Sequence, residues 1–308
     1  MSTTIRQRDG IVLAVLAVII WSGNFIVARG VIARVPPITL NFYRWAIASL
    51  FIIPFAFSSL RKETEIILAS RTYFFVLSLT GIALFNSFIY LAGHYTSAIN
   101  LALIGTTSSP IFANILAAVF LKERLRLLRI AGMLCCLLGI VILISQGSLD
   151  RLRAFSFNEG DWWVLLAGFF FAVYNTLVKV KPVGVSQVSF LATSFILGTL
   201  ILLPGYLYEL SSAASVVWDF KLISIFAYLG IGASLLAYFF WNKAIAVLGS
   251  ARTSIFGNLI PFFSTLEAVL ILDEKITWLH FSSGLLIIAG LVMANMNAAN
   301  SPATASSR

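Results

Sequence analysis

Apolar residues run along the chain in ten long blocks, about 11–29, 38–57, 73–92, 97–121, 130–145, 162–179, 186–208, 222–242, 251–272 and 278–296. A helix crossing the hydrocarbon core of a bilayer needs roughly 20 such residues, so each block predicts one span. The blocks are continuously apolar and lack the in–out alternation of a barrel strand. The pattern predicts an all-α polytopic membrane protein with ten transmembrane helices.

Sliding the chain along itself by 151 positions superimposes Asn24 on Asn175, Gly81 on Gly232, Pro110 on Pro261, Leu121 on Leu272, Glu123 on Glu274 and Gly139 on Gly290. Such self-similarity marks a duplicated unit, here 10–145 (helices 1–5) and 162–297 (helices 6–10). Five spans are an odd number, so the second copy enters the membrane from the opposite side, giving two inverted five-helix repeats. The register slips by two residues where Ser97-Ala98 meets Ser250-Ala251. Gln146 to Asp161 is the longest polar interval and reads as the linker, with Trp162 and Trp163 as interfacial anchors. The intervals Lys122 to Arg129 and Asp273 to Thr277 fit only tight helical hairpins. Arg61 to Arg71 reads as a modest loop. No interval holds a nucleotide-binding domain, so energy for transport would come from gradients.

Composition agrees with this class: 60% of the 308 residues are hydrophobic, 11% are charged, and the mean hydropathy is +0.97. The net charge of +9 raises the question of nucleic acid, but its placement answers otherwise. Arg6, Arg8, Arg61, Lys62, Arg71, Lys122, Arg124, Arg126, Arg129, Lys179, Lys181, Lys243, Arg252 and Arg308 fall on the side of the N-terminus, fourteen in all. Six fall on the other side, Arg29, Arg34, Arg151, Arg153, Lys221 and Lys275. The positive-inside rule then places both termini in the cytoplasm of a multi-pass protein of the cell inner membrane. The expected macromolecular environment is the lipid bilayer, with no nucleic-acid partner. The basic start and the apolar run from Ile11 to Ile20 lack a small-residue cleavage site and are read as helix 1. The stretch 298–308 is small and polar and expected to be disordered.

Candidate chemistry lies within the spans. Asn100, Thr107 and Asn114 recur every seven residues in helix 4, and Ser254, Asn258 and Thr265 form a similar stripe in helix 9. Pro110 and Pro261 lie beside these stripes and each removes a backbone donor, which makes them candidate hinges. Stripes of Ser, Thr and Asn also hold helices together without any ligand. Trp21 with Asn24, Asn86 with Tyr90, Tyr174 with Asn175, and Tyr238 with Trp241 pair rings with polar groups at helical spacing. Such faces suit an aromatic or amphipathic solute, and also serve as ordinary packing. The candidate substrate-binding set is therefore Trp21, Asn24, Asn86, Tyr90, Asn100, Thr107, Tyr174, Asn175, Tyr238, Trp241 and Asn258.

Arg44 and Glu267 are the charges inside spans, each roughly 8–9 Å from the outer end of its helix at 1.5 Å per residue. Equal depth favours a structural ion pair behind the cavity wall. The rival readings are that Arg44 binds a substrate carboxylate or that Glu267 relays protons. His94 and His280 have no metal-ligand spacing, and Cys135-Cys136 has neither CxxC spacing nor a strain-free disulfide, so no metal and no cofactor are expected. Gly132, Gly139, Gly284 and Gly290 permit close helix contact, within the chain or in a homodimer. No HExxH, paired catalytic carboxylates or nucleophile motif points to an enzyme.

The chain resembles the drug/metabolite transporter superfamily, specifically the EamA-type ten-helix exporters. The resemblance covers Gly10 to Asn297 and rests on Trp21-Ser22-Gly23-Asn24-Phe25, on Asn41-Phe42-Tyr43-Arg44-Trp45, and on Pro110, Glu123, Gly132 and Gly139 repeated as Pro261, Glu274, Gly284 and Gly290. It implies alternating access around a central site, export of amino acids or related metabolites, and a structural role for Glu123 and Glu274 in capping their hairpin turns. Within the family the aromatic faces resemble those of an aromatic amino-acid exporter. The small multidrug pumps of the superfamily carry an acid in helix 1, which the segment Ile11 to Arg29 lacks. Uncoupled facilitation is the favoured mechanism, and a proton-coupled multidrug exporter of aromatic cations is the alternative.

Overall fold

The computed structural model describes residues 7–120, 127–150, 158–212, 216–248, 253 and 256–295. The sequence features at Leu121, Glu123, Ser254 and 298–308 lie outside the described residues. The regular structure is helical: α1 (Gln7–Gly30), α2 (Pro37–Ala69), α3 (Arg71–Ser78), α4 (Phe85–Ala92), α5 (Ala98–Phe120), α6 (Leu127–Ile144), α7 (Glu159–Lys179), α8 (Gln187–Ser212), α9 (Phe220–Ala227), α10 (Ala237–Leu248), α11 (Ile260–Leu272) and α12 (Trp278–Asn295). Two π-helical stretches, π1 (Leu79–Leu84) and π2 (Tyr228–Leu236), join α3 to α4 and α9 to α10.

Among the described residues, seven stretches are long and apolar enough to cross a bilayer: α1, α2, Arg71–Ala92, Ala98–Leu116, Glu159–Val178, α8 and Phe220–Ala244. Three more, Ile130–Leu143, α11 and Trp278–Met293, are apolar but shorter. α11 begins late because Asn258 and Leu259 form a turn. Pro261 follows in the first turn of that helix, where its missing N–H and fixed φ are tolerated. Pro110, its counterpart, lies inside continuous α5.

The loop expected over Arg61 to Arg71 is instead helix. α2 continues to Ala69, 33 residues in all, or about 50 Å at 1.5 Å per residue. The core of a bilayer is about 30 Å thick, so the last turns extend beyond it. Lys62, Glu63 and Glu65 are good helix formers there, and Glu63 accepts hydrogen bonds from Ser186 N (2.9 Å) and Ser186 Oγ (3.2 Å) ahead of α8. Helix α7 likewise starts at Glu159, three residues before the expected span, because Asn158 caps it through Gly160 N.

Helix partners come from opposite halves of the chain. α2 and α8 run antiparallel, with Thr39 bonded to Glu209, Ser49 to Thr199 and Ser186 to Glu63. α6 and α12 are also antiparallel: a Cβ on Gly139 would lie 2.7 Å from Ile287 Cγ1, and one on Gly290 would lie 2.5 Å from the Gly132 carbonyl oxygen. These glycines therefore serve contact within the chain. π1 and π2 occupy corresponding positions, since 79 + 151 is 230 and 84 + 151 is 235, both inside π2.

One end of the bundle is closed. Val31, Val35, Leu40, Tyr90, Ile99 and Leu101 belong to a buried cluster there. Polar clasps surround it: Arg34 pairs with Asp219 at 2.6 Å, Arg29 donates to the Gly93 carbonyl at 2.9 Å, and Glu209 accepts from Ile38 N and Thr39 N. Glu274 belongs to the same set. The resemblance implied that it caps its own hairpin turn, but its carboxylate accepts from Ala98 N (2.8 Å) and Ile99 N (3.2 Å) at the start of α5. The orphan amides of a helix N-terminus attract a carboxylate, and those of α5 lie within its reach.

Candidate functional site

Below the closed end, a cavity of about 440 Å³ lies between the two halves. It starts at Arg44, Asn24 and Asn86 in the middle of the bundle and extends past Tyr174 and Trp241 to Val178, Gln187 and Asn242, near the opposite helix ends. Its volume falls within the range of about 300–1,000 Å³ typical of small-molecule sites.

Two aromatic groups line it. Trp21 of α1 packs on Tyr238 and Trp241 of α10 with ring centroids 5.3 Å and 5.2 Å apart, and its indole N–H donates to the Ala233 carbonyl of π2 at 3.0 Å. In the second group Phe85 of α4 stacks on Phe171 of α7 at 4.3 Å, and Phe171 stacks on Tyr174 at 5.7 Å. Both π segments back this ring pair: π2 holds Trp21, and Gly81 of π1 lies against the face of Tyr174. A π turn widens the helix locally and re-aims the residues around it, which is why such turns recur at functional sites.

Arg44 forms the blind end. It is only 4% exposed. Its Nη1 donates to Asn24 Oδ1 (2.5 Å), Tyr90 Oη (2.9 Å) and Asn86 Oδ1 (3.1 Å), and its Nε donates to Ser234 Oγ (3.0 Å). The guanidinium lies over the Trp45 ring, 5.0 Å from its centroid. Four helical segments, α1, α2, α4 and π2, thus converge on one side chain.

The expected ion pair between Arg44 and Glu267 is not formed. Arg44 has the neutral partners just given, whereas Glu267 Oε1 accepts from Ser22 Oγ at 2.7 Å and its Oε2 is buried without a hydrogen-bond partner. Equal depth did not bring them together because each meets a different residue of α1, Asn24 for Arg44 and Ser22 for Glu267, two positions apart and so on different sides of that helix.

Eight of the eleven candidate residues line the cavity: Trp21, Asn24, Asn86, Tyr174, Asn175, Tyr238, Trp241 and Asn258. Tyr90 lies behind the wall, fully buried, and acts on the cavity through Arg44. Asn100 bonds Thr96 Oγ1 at 3.2 Å near the closed end, and Thr107 is fully buried outside the cavity. The face of α5 that borders the cavity carries Gly105, Thr106, Ser109, Pro110 and Ala113. Pro110 therefore lines the site, whereas Pro261 is buried in α11. Arg44, expected behind the wall with carboxylate binding as the rival reading, lines the cavity itself, and Phe85, Phe171, Phe190, Gln187 and Asn242 are lining residues that the sequence reading did not select. Phe85 adjoins Asn86, and Phe171 precedes Tyr174 by three, so helical spacing carried a signal for both.

A bundle of long apolar helices around a polar-ended, ring-lined cavity is the architecture of a polytopic membrane protein with a small-molecule site. The chain belongs to the EamA-like transporter family, which matches residues 8–145 and, a second time, residues 158–296. Members of this family are transporters and not enzymes. The chain is 28% identical over 283 residues to an uncharacterized transporter of Archaeoglobus fulgidus, covering 91% of this chain and 95% of that one. It is 26% identical over 295 residues to a probable amino-acid metabolite efflux pump of Escherichia coli K12, covering 92% and 94%. A solved crystal structure superposes on 96% of this chain with a TM-score of 0.64 and 18% identity, a likeness of fold alone.

Proposed function

We propose that this protein is an inner-membrane carrier that exports neutral or aromatic amino acids and related metabolites by alternating access, as uncoupled facilitation. The observation that carries the reading is the ring-lined cavity between the halves, closed at one end by clasps and ended by a buried guanidinium. The relative named an amino-acid metabolite efflux pump supports the substrate class, as does the sequence resemblance to the aromatic amino-acid exporter YddG. The antiparallel pairing of α2 with α8 and of α6 with α12, and the matched π segments, support two inverted repeats. With the basic side taken as cytoplasm, the cavity extends toward the interior and the clasps lie outside. Residues of the cavity wall near Pro110 and at the Asn258–Leu259 turn would then accommodate the exchange of inner and outer closure.

Among the described lining residues Arg44 is the only charged one, and this favours uncoupled transport over proton exchange. It also disfavours the multidrug reading, since a cation in the cavity meets the field of Arg44. The deciding measurement is counterflow in proteoliposomes with a panel of amino acids. Saturable, trans-stimulated flux of aromatic members without proportional change in luminal pH is expected. Flux that is not trans-stimulated would indicate a channel, and stoichiometric alkalinisation or acidification would exclude uncoupled facilitation.

A further inference from the structure

The deep end of the cavity holds a positive charge with no negative group against it. Every hydrogen-bond acceptor of Arg44 is neutral: two amide oxygens, a phenol and a serine hydroxyl. Nη1 is saturated by three of them, while Nη2 has no hydrogen bond among the described residues. Glu267, the acid nearest in depth, is engaged by Ser22. The ion pair found among the described residues is Arg34–Asp219, at the closed end.

A charge withdrawn from water is normally paired, because dipoles compensate only part of its lost solvation. The lining of this cavity offers no described Asp or Glu to complete the pairing. Its other polar groups are neutral: amides such as Asn175, Asn242 and Gln187, and the hydroxyls of Thr106, Ser109 and the tyrosines. A ligand carboxylate on Nη2 would neutralise the site, and a ring attached to it would meet the aromatic lining that includes Trp21 and Phe171. An ammonium on the same ligand gains only neutral partners there and is repelled by the guanidinium.

Resting on the carrier reading above, we propose that the preferred substrate is a net monoanion. It would be an aromatic or amphipathic carboxylate that carries a hydroxyl or oxo group in place of the ammonium. Zwitterionic amino acids then bind through the same carboxylate contact but more weakly. With the ammonium ~6 Å from the guanidinium and an effective dielectric near 20, the repulsion, partly offset by the amides, corresponds to roughly 10- to 100-fold in affinity. The preference also supplies a driving force for uncoupled export. An inside-negative potential of ~100 mV biases the distribution of a monoanion outward by about 50-fold and leaves a zwitterion unbiased.

The test uses three ligands with the same ring: 3-phenyllactate, phenylalanine and phenylalaninamide. Isothermal titration with the purified full-length protein should give 3-phenyllactate binding 10- to 100-fold tighter than phenylalanine, with phenylalaninamide undetectable. Arg44→Lys should keep this order at lower affinity, and Arg44→Gln should abolish it. The wild-type order stands as a test even if a variant does not fold. In proteoliposomes, 3-phenyllactate efflux should accelerate under an interior-negative diffusion potential, and phenylalanine efflux should not. Phenylalanine binding as tightly as 3-phenyllactate, together with saturable counterflow of phenylalanine, would overturn the anion preference and leave the carrier intact. Absence of counterflow for every solute would overturn the carrier reading itself.

Discussion

The two glycines matched by the repeat offset, Gly81 and Gly232, occupy unequal surroundings, and this makes a sharp prediction. A Cβ on Gly81 would lie 2.1 Å from Tyr174 Cδ2 and 2.4 Å from its Cγ, whereas the nearest neighbour of a Cβ on Gly232 is Tyr228 Cδ2 at 3.4 Å. Ordinary contact begins at 3.4 Å, so Gly81→Ala requires a relative shift of about 1.3 Å at Tyr174. The π1 backbone is held by its own hydrogen bonds, so the ring yields, and the side open to it is the cavity. Overpacking of this size costs about 1–3 kcal/mol. If a bulky substrate must push the ring back, its Kd rises by roughly 5- to 150-fold. Titration of Gly81→Ala and Gly232→Ala with an aromatic ligand and a small one measures this. We expect Gly81→Ala to lose affinity for the aromatic ligand selectively and Gly232→Ala to resemble the wild type. Equal behaviour of the two variants would refute the assignment of Tyr174 to the cavity wall.

Further outcomes follow from the same contacts. Glu274→Ala removes the carboxylate that accepts from Ala98 N and Ile99 N, and should destabilise the protein by about 1–2 kcal/mol, read by denaturant titration in detergent. Thr107 is buried with no partner for its Oγ1, so Thr107→Val should leave transport unchanged and stability equal or higher; loss of transport would return Thr107 to the substrate site. Asp219 accepts from Leu222 N and pairs with Arg34, which together hold its carboxyl below the usual 3.8. A depressed acid stabilises the fold above its unfolded pKa and loses that contribution as pH falls through the folded one. The difference in thermal midpoint between wild type and Asp219→Asn should therefore stay constant from about pH 8 to 5 and shrink only in stronger acid. Burial and the neighbouring Arg29 hold the His94 imidazole below its usual 6.5, so His94→Gln should leave the flux profile flat between about pH 7 and 8.

Much of this site was legible because aromatic and amide side chains within apolar spans have few reasons to be there. The ring–amide pairs of helices 1, 3 and 6 and the ring pair of helix 8 each contribute at least one residue to the cavity wall. The stripe on helix 4 misled by one residue. Thr107 shares a face with Asn100 and Asn114, but the cavity borders Thr106, which is about 100° around an α-helix. Asn114 instead returns its amide to the Pro110 carbonyl at 2.9 Å, and Asn100 to Thr96, so both amides of the seven-residue stripe are spent on local bonds. The π segments left no signature in hydropathy, and the length of α2 was hidden because its last turns are polar and helical at once.

Arg44 illustrates why a sequence ranks buried charges poorly. Counting residues gives depth, and depth made Glu267 the natural partner. Azimuth decides the contact, and it depends on how α1, α2 and α11 pack. In the bundle α1 presents Asn24 to Arg44 and Ser22 to Glu267, two residues apart and therefore on different sides of the helix. The acid and the base are thus held separately by one helix that also carries Trp21. A motion of α1 relative to α2 would change the Asn24 contact and the set of Arg44 together, so occupancy of Nη2 and closure above it would be linked through a single hydrogen bond. Asn24→Leu, which keeps the branched shape but removes the acceptor, should therefore weaken carboxylate binding and loosen the closed end in the same variant. Ligand titration and hydrogen exchange at residues 93–101 can be measured on one sample. A change in one without the other would separate the two roles.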